Sequence, residues 1–382
     1  MRNLISLSKD QSVNFKNDDQ AIDKIKNRIV SSLDHLNIRF TDISLYTNRL
    51  HFGFEIFLAS NYYLKKITKE ISDFRDFTEL ENIDIIKLQA KNVVRIEMLK
   101  TKLQSYKFKD FLYAYNSSEH DVNIPIILGA DIHNTPYVID LSKTSNIQVK
   151  CINSVHANNI IDCMVALLCK HRSNKLTKLI FIDSGNIGYE RYKKLPHRYL
   201  ASFDNENAIS KGIDQGLINL NNISEEIEAR FELLKSSHVK SIDKYNELHN
   251  NERPQTVAFI NDFVEFSNTA GPEFKSILAR ISMLGKMVGI HVVIITSNVE
   301  LPKNNVLIDS NFILQMVFNN DFLKISEEGK NENFKIDLIG SGDYLLIDTE
   351  KEFKRRKVER DIKRFQFPII TEEEFNKIIS NN

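Results

Sequence analysis

The chain has no tryptophan, three cysteines, seven prolines and only 12 glycines in 382 residues. Average usage would supply roughly twice as many glycines, so glycine-rich cradles are not a general device here. The cysteines, Cys151, Cys163 and Cys169, fall within one short stretch and cannot staple a 382-residue fold. They predict a reducing compartment, with a cytoplasmic location as the expectation. No apolar run approaches the ~20 residues of a membrane span, and Met1-Arg2-Asn3 does not open a secretory leader. Net charge is absent too: 51 Lys and Arg balance 51 Asp and Glu. A bulk polycation is excluded, and any nucleic-acid contact must come from local patches.

What is present is globular. Hydrophobic residues make up 42% of the chain, enough for a sizeable core, and the length suits two domains or one large one. The organising stretch runs from Asn146 to His171. Ile147, Val149 and Ile152 read as a short buried strand, Asn153-Ser154 as a sharp polar break, and Ala157 to Lys170 as an apolar helix. In that helix Ile160, Met164, Leu167 and Leu168 recur at helical spacing. Strand, tight turn and helix is where many α/β proteins hold a phosphate.

Residues 1–19 read as an N-terminal arm. Residues 20–123 read as a small α+β domain. Its first helix carries Ile22, Ile25, Ile29, Leu33 and Leu36 on one stripe. Strands are predicted over 38–46, 50–58, 83–88 and 93–99, with a turn at 46–49 and a helix over 62–74. In the second strand Leu50, Phe52, Phe54, Ile56 and Leu58 share one face. From residue 124 to 382 short apolar strands alternate with helices. Strands are expected at 124–128, 137–141, 147–152, 179–182, 257–260, 291–296, 312–318 and 344–347. Helices are expected near 157–171, 205–238, 271–288 and 371–379. That alternation predicts a mostly parallel sheet covered on both faces.

Several fragments in this half occur in a familiar order. They are Leu128-Gly129-Ala130-Asp131, Pro136, Asp140-Leu141-Ser142-Lys143, Met164, Pro196-His197, Glu228-Ala229-Arg230-Phe231, Tyr245-Asn246-Glu247, Ala279-Arg280, Gly289-Ile290-His291 and Gly340-Ser341-Gly342-Asp343. Together with the leading helix and paired strands, this series resembles the FtsK/SpoIIIE-type double-stranded DNA translocases over nearly the whole chain. The resemblance implies an α/β class, a RecA-like P-loop NTPase fold preceded by a small α+β domain. It further implies ATP and Mg2+ as cofactors, double-stranded DNA as a partner, and ring assembly as a homo-oligomer or beside an active relative. The family's membrane segments and its C-terminal winged-helix module are expected to be missing.

The same resemblance assigns site positions. The phosphate loop falls on 151–158. Its glycine positions carry Cys151, Ser154 and His156, its lysine position Ala157, and its magnesium-hydroxyl position Asn158. A phosphate loop needs glycines for close backbone approach and a lysine for the terminal phosphates. None of these groups stands here. After the strand Val257-Ala258-Phe259-Ile260, Asn261 takes the magnesium-shell position and Asp262 the base position. The sensor segment reads Thr296-Ser297-Asn298, and an interface arginine of the family is Lys286 here; Arg280 and Thr296 match the pattern. Two readings of 151–158 stand: an ordinary strand-to-helix turn capped by Asn153 or Ser154, and an unusual nucleotide site.

Other constellations are less informative. Cys163 and Cys169, six apart on a helix, do not share a face, so they read as small buried positions and not as metal ligands. Lys351, Lys354, Arg355, Arg356, Lys357, Arg360, Lys363 and Arg364 form the strongest basic run. It suits phosphate contacts, but interleaved Glu350, Glu352, Glu359 and Asp361 equally suit a solvated edge strand. The expectation is therefore a DNA-translocase homologue without working ATP chemistry, acting as a DNA-associated scaffold or regulatory subunit. The alternatives are an active ATP-driven pump for chromosome or plasmid partition, and a protein-interaction module.

Overall fold

The structure, a computed structural model, describes residues 4–7, 19–78, 80, 83–88, 92–100, 102–116, 122–144, 146–171, 177–184, 189–196, 199–201, 208–250, 253–261, 263–296, 312, 314–318, 338–340, 342–348 and 361–380. Two sheets organise it.

The smaller sheet holds β2 (Phe40–Thr47), β3 (His51–Leu58), β4 (Ile83–Leu88) and β5 (Val93–Leu99), in the order β2-β3-β5-β4 with every pair antiparallel. The turn between β2 and β3 is closed by Asn48, whose side-chain oxygen accepts from Leu50 N (2.8 Å) and His51 N (2.6 Å). Phe54, Ile56 and Leu58 bury the face that alternation predicts, against Ile29 and Leu33 of α1 (Asp19–His35). The helix expected over 62–74 is two: α2 (Asn61–Lys69) and α3 (Ile71–Thr78), parted at Glu70.

The larger sheet has the order β1-β7-β6-β15-β14-β13-β8-β12-β11-β9-β10. Its parallel half comprises β8 (Ile147–Lys150), β9 (Thr177–Asp183), β10 (Ile209–Lys211), β11 (Gln255–Asn261), β12 (Ile290–Thr296) and β13 (Leu314–Val317). On β11, Val257 and Phe259 pack to one face, while Ala258 and Ile260 pack to the other. Both faces are covered, so the strand reads as a continuous apolar run. The first face carries α5 (Ser154–Lys170). The second carries α6 (Ile213–Ser236), α7 (Ile242–Leu248), α8 (Phe263–Thr269) and α9 (Gly271–Leu284). Where a helix from about 205 was expected, Ile209–Lys211 is a strand and α6 follows Gly212.

The other half is antiparallel: β14 (Asp343–Asp348), β15 (Asp361–Gln366), β6 (Pro125–Asp131), β7 (Pro136–Asp140) and β1 (Leu4–Ser6). Leu4–Ser6, in the segment read as an arm, pairs with β7 as the edge strand. Tyr106, and Phe108 and Phe111 of α4 (Phe108–Asn116), are fully buried in the larger core with α5. Phe108 N donates to Ile369 O at 3.0 Å. The chain closes with α10 (Glu372–Ser380), packed against α5.

Family-like fragments prove to be fasteners of this fold. Gly129 sits at a bulge in β6 with φ +91°, where a Cβ would stand 2.1 Å from Gln366 O. Asp140 accepts from Asn123 N, Ile124 N, Ser142 N and Ser142 Oγ. Burial pushes its carboxyl upward, but these bonds and Lys143 outweigh burial and hold it below the ordinary range. His291 is buried against Gln255 Oε1 at 3.0 Å, and burial pulls its pKa down to about 3.

One expectation is corrected. The basic run was read in part as a solvated edge strand. Residues 351–360 lie outside the described residues, but β15 runs between β14 and β6, inside the sheet. Arg364 is buried there, donating to both oxygens of Asp343 (2.9 and 2.7 Å) and to Glu97 of the smaller sheet. An arginine in an interior strand is tolerable because two buried carboxylates pair with it.

Candidate functional site at the carboxyl edge of the parallel strands

In open parallel sheets, ligands bind beyond the carboxyl ends of the strands. Here those ends carry Lys150 and Cys151 (β8), Thr296 (β12), Asn261 (β11) and Asp183 (β9). The structure brings Cys151, Ser154, His156, Ala157, Asn158, Asn261 and Thr296 to this edge. Asp262 and Lys354, Arg355, Arg356 and Lys357 lie outside the described residues, as do Ser297 and Asn298.

The turn into α5 is closed on itself. Asn153 is the N-cap, and its side-chain oxygen accepts from Val155 N (2.9 Å) and His156 N (3.4 Å). Its backbone oxygen takes Ala157 N (3.0 Å) and the Cys151 thiol (3.5 Å). A helix start offers only a few unsatisfied N–H groups, and here a carboxamide has taken two of them. Ala157 is 1% exposed and packed in the core beside α5's apolar face. Burial raises the Cys151 thiol to about 11, so it is not a thiolate near neutral pH.

Neighbouring polar groups are tied in pairs. Asn261 Nδ2 donates to Asp183 Oδ1 at 3.0 Å, one strand away in register. Gln148 Nε2 donates to Thr296 Oγ1 at 3.2 Å, and Lys150 Nζ reaches Gln315 Oε1 at 2.9 Å. The remaining site candidates stand elsewhere. Arg280 on α9 pairs with Glu228 on α6. Lys286, in the turn before β12, donates to Lys143 O at 2.9 Å, and Lys143 precedes β8. Both residues of that contact lie at the amino ends of parallel strands, the end opposite the α5 turn.

Sequence reasoning missed a cluster on the flank of α5. Asp162 lies within the apolar run Ile160-Ile161-Asp162-Cys163-Met164 and is 9% exposed. Tyr192 Oη donates to it at 2.8 Å and Arg191 pairs with it at 3.2 Å. Both come from a 3-10 turn at Tyr189–Lys194. Burial pushes the Asp162 carboxyl up to about 6, with Arg191 and the Tyr192 hydroxyl opposing it. The lone carboxylate in an apolar helix was the available signal. Beside this cluster a pocket of about 480 Å3 opens between α5, α10 and the Gly340–Asp343 turn.

A strand-turn-helix at the carboxyl edge of a parallel sheet, with helices on both faces, defines the RecA-like P-loop ATPase class of fold. Solved structures agree on the fold. The pCW3 conjugation coupling protein TcpA, in a monomer form with ATPγS, superposes with a TM-score of 0.55 at 16% identity, covering 94% of this chain and 99% of that one. The cytoplasmic domain of the type VII secretion ATPase EccC from Thermomonospora curvata gives 0.55 at 14% identity over 73% and 34% of the two chains.

Residues 113–302 match the FtsK/SpoIIIE family, and the chain belongs to that family. The DNA translocase FtsK of Helicobacter pylori is 24% identical over 369 residues, which is 95% of this chain and 41% of the relative. The chain thus spans about two fifths of that relative's length. No helix among the described residues is long and apolar enough to cross a membrane.

Proposed function

We propose that this chain is a catalytically silent relative of the FtsK-type DNA translocases, serving as a DNA-associated scaffold or regulatory subunit. The observation that carries the reading is the Asn153 cap. The N–H groups of Val155 and His156, which a phosphate loop turns toward its anion, are given to a side chain of the same turn. The residues present do not fit a Mg2+-triphosphate. Asn158 replaces the magnesium hydroxyl, Ala157 replaces the phosphate-reaching lysine, and neutral Asn261 spends its amide on Asp183. Charge-assisted hydrogen bonds contribute roughly 1.5–3 kcal/mol each, while a helix dipole contributes ~0.3–1 kcal/mol at an exposed end. The dipole does not replace the missing ligands.

The association with DNA rests on the family and on the relatives' name. The intact fasteners at Gly129, Asp140 and His291 support a fold retained for use as a surface. Calorimetry of the purified chain with Mg-ATP, with and without duplex DNA at low salt, tests both parts. Heat from DNA but not from millimolar ATP is the expected result. Micromolar ATP affinity or DNA-stimulated hydrolysis would establish an active pump instead. A stable protein partner without DNA binding would establish an interaction module.

A further inference from the structure

The flank of α5 holds a space that the reading above leaves unused. Its volume, about 480 Å3, falls in the ~300–1,000 Å3 range of small-ligand pockets. Three phenylalanines line it: Phe318, Phe367 and Phe375. Phe367 and Phe375 are buried, and their rings meet Phe318 and Tyr192 edge-on at 5.9 Å. Phe318 is only partly buried and stacks on Tyr344 at 4.5 Å, so part of its ring surface has no protein cover. Aromatic walls of this kind favour a flat, polarisable occupant.

The charges in the lining narrow the class. Asp162, Asp343 and Glu372 are set against Arg191 and Lys194. Asp162 is already paired with Arg191, and Asp343 with Arg364 behind the wall. The lining therefore offers no surplus of positive charge for a polyanion. Its two cations oppose an organic cation. The nearest helix start is closed to phosphate by the Asn153 cap. On α10, Glu372 and Asn376 stand one helical turn apart, both lining the cavity. They put an acceptor and an amide within reach of a polar ring edge.

We propose that this pocket binds an uncharged planar heteroaromatic molecule of nucleoside or flavin-ring size, and binds it better without phosphate than with it. The inference rests on the reading that the α5 turn takes no triphosphate. The site selects for stacking area and one donor-acceptor edge, and a phosphate tail adds nothing to the binding.

The test uses the full chain and three uncharged probes, adenosine, guanosine and riboflavin, beside Mg-ATP. The chain has no tryptophan, so I369W, at a partly exposed position in the lining, supplies a single indole reporter. Calorimetry on the unmodified chain supplies an independent readout. At least one uncharged probe should saturate at sub-millimolar concentration, with Mg-ATP at least tenfold weaker than adenosine. I160F and N376F, adding a ring from opposite walls, should each weaken that probe tenfold or more. N376F, on the more exposed helix, stands alone if I160F does not fold. No saturation with any of the three probes overturns this inference and leaves the silent-ATPase reading standing. Mg-ATP tenfold tighter than adenosine overturns both. Probe binding unchanged in a folded N376F overturns the placement in this pocket.

Discussion

Arg364, in the middle of the larger sheet, donates a hydrogen bond to Glu97 of the smaller sheet, and their side chains are 3% and 1% exposed. Asp343 takes the rest of the same guanidinium. The two sheets are thus joined through a buried cation held by one carboxylate from each side. Asp343 also lines the pocket, so the joint between the sheets abuts that wall.

Removing one partner strands a buried charge, which costs about 3–5 kcal/mol. E97A should lower the unfolding free energy by that amount in guanidinium denaturation. R364M with E97Q together should lose less than the sum of the singles. Additive losses would show that the pair is not coupled.

Gly129 should not tolerate a side chain. Its φ of +91° and the 2.1 Å approach of Gln366 O leave no room for a Cβ. Backbone strain of ~1–3 kcal/mol and overpacking of ~1–3 kcal/mol both act on G129A. The variant should therefore lose roughly 3 kcal/mol by thermal or chemical unfolding. A loss no larger than that of an ordinary surface substitution would count against the bulge.

Asn153 should behave as a cap and nothing more. N153A should cost about 1 kcal/mol and N153G only a few tenths. Neither should change the response to Mg-ATP, since Ala157 and Asn158 remain. A ligand-induced rise in melting temperature with N153G, absent from the parent, would mean that the cap alone was blocking phosphate.

Acid should destabilise the fold between neutrality and about pH 4. Burial pulls both His51 and His291 to about 3, with Arg364 adding at His51 and Lys286 at His291. Below an unfolded value near 6.5 the unfolded chain binds protons that the native chain does not. Stability then falls with pH until the native imidazoles titrate. Asp162 acts in the opposite direction. Its native value near 6 lies above its model value of 3.8, so the native state holds a proton that the unfolded state has released. Two histidines against one carboxylate leave a net loss as pH falls, about 1.4 kcal/mol per unit for each uncompensated proton. H291N should flatten the slope measured from pH 7 to 5 by denaturant titration, and D162N should steepen it. A slope unchanged in both would sink the assignment.

Periodicity alone specified the apolar elements. Alternation from Leu50 to Leu58, the stripe of α1 and the continuous run of β11 are local patterns, because a strand or helix that buries one face or both writes that burial at its own repeat. The order of short fragments also sufficed to indicate the family. The closure of the α5 turn was half legible, since Asn153 is a good cap in any sequence, but only the structure assigned both N–H groups to it. Non-local pairing could not be read. Nothing near Arg364 in sequence points to Glu97, 267 residues away, and a basic residue in a charged run reads as exposed until strands on both sides enclose it. The pocket is the same kind of fact. Its walls come from α5, from the 3-10 turn that carries Arg191, and from the carboxyl end of the chain. Burial of a lone aspartate and the enclosure of three phenylalanines are properties of tertiary neighbours, which a one-dimensional pattern does not contain.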